Sequence, residues 1–155
     1  MEVHYFRPLS GRYLGRLFGR THHKLVIVDG KVGFTGGFGI WKAWLGGGQC
    51  LDEWRDTNVR VEGPTLREMQ LAFARSWQEC GGALLPESCF PEIKPLPGGA
   101  HAAFVESAGV SGISDAERML RMVFAAARER LWISNAYFTP PNAMLEQLKI
   151  GRAHV

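Results

Sequence analysis

Residues 21–37 read THHKLVIVDGKVGFTGG. Within them KLVIV (24–28) is a continuous apolar, β-branched run, the pattern of a strand covered on both faces. Asp29-Gly30 is a strong tight-turn signal, and KVGFTG (31–36) returns as the partner strand. Side chains alternate along a strand, so His22 and Lys24 leave one face two residues apart, while His23 points to the other. A hairpin is therefore expected, with an imidazole and an ammonium side by side ahead of its first strand.

Working outward, VHYF (3–6) is a short strand candidate, and three glycines make PLSGRYLGRLFGR (8–20) a loop or broken helix. DTNVRVE (56–62) alternates as a strand that Gly63-Pro64 closes. Thr65 with Glu68 three residues later predicts a capping box. The helix that follows carries Leu66, Met69, Phe73 and Trp77 at helical spacing and ends near Gly81-Gly82. The stretch ALLPESCFPEIKPLPGGA (83–100) holds four prolines and reads as a linker.

After it the pattern restarts, with AAFVES (102–107) as a strand and SDAERMLRMVFAAARER (114–130) as a helix capped at Ser114 with Glu117. LWISNAYF (131–138) reads as a buried strand, and NAMLEQLK (142–149) begins another helix after two prolines. Strand–helix alternation predicts an α/β fold with a largely parallel or mixed sheet. The expected organisation is a first unit over 1–82, a linker over 83–100 and a second unit over 101–149. The last six residues, IGRAHV (150–155), are also the translation of ATC GGA AGA GCA CAC GTC, a common sequencing-adapter stretch. Residues 150–155 are therefore expected to be an artefact rather than natural sequence.

Composition bounds the class. At 155 residues, 46% hydrophobic and 21% charged, the chain suits a soluble globular protein. It has no apolar run near the roughly 18 residues that span a bilayer, and MEVHYFRPLS lacks the regions of a signal peptide. Cys50, Cys80 and Cys89 have no metal-ligand spacing and read as reduced thiols of a cytosolic compartment. Arg7, Arg12, Arg16, Arg20, Lys24 and Lys31 face one acid, Asp29, over the same stretch. That basic face would attract phosphate-bearing substrates or an anionic membrane surface.

His22, Lys24 and Asp29 form the pattern His-x-Lys-x4-Asp. A neutral imidazole can attack phosphorus while an adjacent ammonium neutralises the non-bridging oxygens. A metal reading is weaker, because His22 and His23 diverge on a strand and no further His/Asp/Glu cluster completes a shell. Neither metal nor cofactor is expected.

HHKLVIVD followed by GKVGFTGG resembles the HKD motif of the phospholipase D superfamily, and most resembles its bacterial cardiolipin synthase branch. The resemblance continues through WLGGG (44–48), WRDTNVRVEGP (54–64) and NAYFTPPNAML (135–145). It implies a phospholipase D-like mixed sheet flanked by helices and a metal-independent, two-step phosphodiester exchange. One motif histidine attacks phosphorus to give a phosphohistidine, and the other protonates the leaving alcohol and then deprotonates the acceptor. His22 would be the nucleophile and Lys24 the phosphate ligand, with Asp29 fixing the turn. Asp56, with Asp52 and Glu53 as fallbacks, would hold the second nitrogen of His22. Gly36 and Gly37 would bring backbone amides to the phosphate. Where many members carry an asparagine in that glycine stretch, this chain has Gly39.

Only one such motif is present, since no histidine other than His22 precedes a lysine by two. The family's second motif falls beyond NAYFTPPNAML, so the chain is expected to be a fragment: the end of the first catalytic half and the start of the second. Alone it should be nearly inactive.

The leading expectation is a phosphatidyltransferase acting on phosphatidylglycerol-like lipids. It would sit peripherally at the cytoplasmic face of a bacterial inner membrane, without nucleic acid as a partner. A phosphodiesterase or nuclease using water, and a non-catalytic membrane-surface module, are the alternatives. Trp77 and Trp132 read as core; Trp41 and Trp44, on a loop, suit either packing or lipid contact.

Overall fold

The computed structural model describes residues 1–8, 21–107, 114–135 and 137–152. It mixes helix and strand in two compact units, Met1–Phe104 and Val105–Val155.

The first unit holds a three-stranded antiparallel sheet in the order β1 (Leu25–Val28), β2 (Val32–Gly36), β3 (Asn58–Val61). The expected hairpin forms. Asp29 and Gly30 take φ of 52° and 64°, and the Lys31 amide donates to the Val28 carbonyl at 2.9 Å. Positive φ at both central residues makes this a type I′ turn, whose twist matches that of the strands it joins. Gly30 is buried, and a Cβ there would press on Pro91 Cδ, Gln70 Nε2 and the Cys89 carbonyl at 2.6–2.9 Å.

Register assigns the faces. Val26 pairs with Phe34, which pairs with Arg60, so these three share one face; Leu25, Thr35 and Val59 share the other, with Ile27, Gly33 and Val61. α1 (Leu66–Glu79) covers this second face, and Leu66 and Met69 fill the space above Gly33. Both are fully buried and form the core with Ala72. Val26, Val28 and Phe34 on the first face are exposed. The expectation that β1 is covered on both faces is thus corrected: among the described residues one helix packs on this sheet, and it can cover one side. The expected parallel pairing is also absent among the described residues. Each connection within the sheet is a turn or a loop, and parallel neighbours need a longer crossover.

α1 starts and stops for different reasons than expected at its two ends. No capping box forms. Thr65 already has helical φ and ψ, and its hydroxyl donates to the Ala102 carbonyl at 2.8 Å. At the other end the Gly82 amide donates to Trp77 and the Gly81 amide to Gln78, with Gly81 at φ 88°. This is the two-bond glycine stop that the sequence suggested.

Segments flanking the sheet dock on α1. VHYF, expected as a strand, forms none; the His4 ring meets Trp77 edge-on at 4.4 Å, and Arg7 pairs with Glu79. Most of the expected loop over 8–20 lies outside the described residues. The proline-rich stretch is held at several points: Trp77 Nε1 donates to the Ala83 carbonyl at 2.9 Å, and Gln70 Nε2 to Cys89 at 2.6 Å.

The second unit is α2 (Asp115–Ala126) and α3 (Asn142–Arg152). Ser114 caps α2 as expected, its hydroxyl accepting from the Glu117 amide at 3.1 Å. Phe124 and Met144 are its buried apolar residues among those described, and Gln147 Nε2 ties α3 to the Arg121 carbonyl at 2.8 Å. The expected strands 102–107 and 131–138 do not form among the described residues. A strand requires a ladder partner, and α2 and α3 offer none. α3 runs past Lys149 to Arg152, while residues 153–155 lie outside the described residues.

Candidate active site

The antiparallel register gathers most of the candidate residues at one end of the sheet. Leu25 pairs with Thr35, so Lys24 falls opposite Gly36 when the register is carried back one residue; Gly36 in turn pairs with Asn58. His22 precedes Lys24 on β1's leading segment, Gly37 follows Gly36, and Asp56 precedes Asn58. Asp29 is elsewhere. It sits in the turn at the far end of β1, five residues from Lys24, or roughly 16 Å of strand.

His22 and Lys24 stand together as the alternation predicts. Lys24 Nζ lies 3.4 Å from His22 Nδ1 and 3.2 Å from the His22 carbonyl. The His22 ring is exposed and Lys24 is half-buried. An ammonium only donates, so wherever Lys24 hydrogen-bonds to a neutral His22 ring, Nδ1 accepts and the ring proton is on Nε2. That tautomer has no lone pair on Nε2. Attack through Nε2 therefore requires the ring to leave Lys24 and give its Nδ1 proton a carboxylate or carbonyl partner.

Asp56 is not that partner in this conformation. Its carboxylate accepts from the Thr57 amide at 2.6 Å and lies directly over Gly37, where a Cβ would collide with it. Glu53, a fallback, is engaged in its own loop, accepting from the amides of Gly47 and Gln49 at 3.1 Å each. Asp52 is exposed. Gly36 is crowded by Asn58 at the start of β3 and Gly37 by Asp56 just before it, so the bare backbone there is what allows the close approach.

Between β2 and β3 the chain builds an aromatic brace. Trp54 meets Trp41 at 5.0 Å and Trp44 at 5.2 Å, both edge-to-face, and Phe38 lies 5.6 Å from Trp44. The indole of Trp44 also fills the space beside Gly39. Ile40, Leu45 and Leu51 on the same loop are almost wholly exposed. Sequence reasoning missed Asn58. Counting the alternation back from Val59 and Val61 would have placed it on the face of Arg60; only the register sets it opposite Gly36.

Among the described residues, no group of three or more His, Cys, Asp or Glu could hold a metal ion. No helix among them is long and apolar enough to cross a membrane.

The chain is similar to curated proteins named cardiolipin synthase. It is 35% identical over 157 residues to cardiolipin synthase A of Pseudomonas fluorescens, across 97% of this chain and 31% of that protein. With cardiolipin synthase A of Pseudomonas putida it shares 34% over 136 residues, 85% of this chain and 27% of the relative. With the cardiolipin synthase of Halalkalibacterium halodurans it shares 29% over 154 residues, 97% and 31% respectively. The chain thus spans about a third of the length of the curated relatives it matches. These likenesses support the cardiolipin synthase family. No family model matches the chain. No solved structure matches it either.

Proposed function

We propose that this chain carries part of a phosphatidyltransferase of the cardiolipin synthase type, on a phospholipase D-like fold. The observation that carries the reading is the His22–Lys24 pair, 3.4 Å apart, within a stretch similar along 97% of its length to a named cardiolipin synthase. His22 attacks the phosphorus of a phosphatidylglycerol-like lipid, forming a phosphohistidine as the bond to the glycerol oxygen breaks. A histidine of a second motif, outside this sequence, gives that oxygen a proton and later takes one from the incoming hydroxyl. Lys24 balances charge on the non-bridging oxygens, and the amides of Gly36 and Gly37 line the phosphate. Asp56 turns toward His22 to receive its Nδ1–H, which frees Nε2 for attack. Asp29 keeps the hairpin in shape from a distance.

The membrane partner of this reading is an anionic surface on the cytoplasmic side, met peripherally. Ile40, Trp41, Leu45 and Leu51 are exposed beside the site, and Lys42 is the one charged residue in 38–51. That composition suits the boundary between headgroups and acyl chains. With one motif of two, this stretch alone is expected to be nearly inactive, since acid–base assistance is typically worth 100- to 10,000-fold.

The test is a His22→Asn variant of the protein completed with its second motif. Loss of cardiolipin and glycerol release, with folding and vesicle binding intact, is the expected result. Full activity in the variant would reject the nucleophile, and phosphatidic acid as product would favour water as acceptor.

A further inference from the structure

The row formed by Lys24, Gly36 and Asn58 is more than a consequence of register. Strands are spaced about 4.8 Å apart, so Lys24 and Asn58 flank Gly36 across roughly 10 Å on one face. Gly36 has no side chain, and the Asn58 carboxamide leans over it to fill the position a Cβ would take. Asn58 Oδ1 accepts from the Phe38 amide at 3.3 Å, which turns Nδ2 away from that amide. No other hydrogen bond of the Asn58 side chain occurs among the described residues. Lys24 on the β1 side and Asn58 on β3 thus flank Gly36 on one face, with Lys24 Nζ turned to His22 and Asn58 Nδ2 without a partner among the described residues.

We infer that Asn58 is a phosphate ligand, donating Nδ2–H to a non-bridging oxygen from the side opposite Lys24. The ligand class is a phosphate monoester or diester. The inference rests on the phosphoryl-transfer reading above and adds to it a third element of charge-assisted binding from β3. Asn58 has two separable duties: Oδ1 holds the Phe38 amide, and Nδ2 meets the anion.

Aspartate separates them. Asn58→Asp keeps an acceptor for Phe38 but removes the donor and adds repulsion, whereas Asn58→Ala loses both. The experiment is a titration of the purified chain, followed by amide and side-chain nitrogen NMR. One arm uses inorganic phosphate and the other a short-chain phosphatidylglycerol below its micelle concentration. Binding is expected to move the Asn58 Nδ2 signals together with Lys24 and Gly36. Asn58→Asp should weaken affinity by about tenfold or more, the usual scale for a hydrogen bond to a charged group. A response in both arms identifies the phosphate as the recognised group; a response to the lipid alone assigns the site to the headgroup diester. The inference is overturned if Asn58→Asp binds like the unaltered chain, or if Nδ2 stays still while Lys24 and Gly36 shift. The latter result leaves the phosphoryl-transfer reading standing. Silence at all these residues in both arms overturns the inference, while the product assay on the completed protein decides the reading separately.

Discussion

KLVIV at 24–28 and LWISN at 131–135 look alike as strand candidates, yet four of the first five residues form β1 and none of the second pairs. The difference is where a partner can come from. Val28 finds Val32 across a turn of three residues, closed by one hydrogen bond and two positive-φ positions. Between Val105 and Arg152 the described elements are two helices, so the backbone groups of 131–135 meet no ladder. Trp132 is accordingly 87% exposed, against complete burial of Leu66 in the first unit. A β-rich composition states what a segment would do beside a partner; it does not supply one.

Hydrogen exchange would break that comparison most directly. Amides of β1 and β2 that pair across the hairpin should exchange far more slowly than those of 131–135. Comparable protection in both segments would mean that 131–135 has found a partner and that the contrast fails. Next in size is truncation of the core: Leu66→Ala should cost about 2–5 kcal/mol in the unfolding of the first unit. Chemical denaturation followed by tryptophan fluorescence measures it, and a cost below 1 kcal/mol would deny that this side chain anchors α1 to the sheet.

Gly33→Val tests the same interface from the other side. Its Cβ would meet Leu66 Cδ1 at 2.5 Å and Met69 Cε at 2.9 Å, so overpacking of about 1–3 kcal/mol is expected. An unchanged denaturation midpoint would place the helix further from the sheet than described. In the second unit the comparable lever is small. Ser114→Ala should lower the helicity of α2 and cost about 1 kcal/mol, whereas Thr65→Ala, which removes no cap, should leave the helicity of α1 unchanged by circular dichroism. The least effect concerns Cys80, whose thiol is held above its ordinary value by burial and by the Glu79 carboxylate. Alkylation near pH 8 should therefore reach exposed Cys50 and Cys89 first; a faster Cys80 would mean that its environment is more open than described.

Local signals were read well where their physics is local. The Asp29-Gly30 turn, the Ser114 cap, the glycine stop of α1 and the adjacency of His22 and Lys24 each depend on residues within a few positions. Thr65 shows the limit. Its spacing to Glu68 matches a capping box, but a backbone carbonyl 37 residues away takes its hydroxyl. VHYF shows it again, since docking on α1 competes with strand pairing and wins.

What the sequence by itself determined is the hairpin, the helix ends and the pairing of an imidazole with an ammonium, because dihedral preference and side-chain alternation act within one segment. Only the tertiary structure decided which sheet face stays open, and that Asp56 and Asn58 crowd Gly37 and Gly36. It also decided that the Asp56 carboxylate accepts from the Thr57 amide rather than meeting His22. Those outcomes depend on strand register and on which groups compete for one proton or one amide, and both are settled between segments distant in the chain.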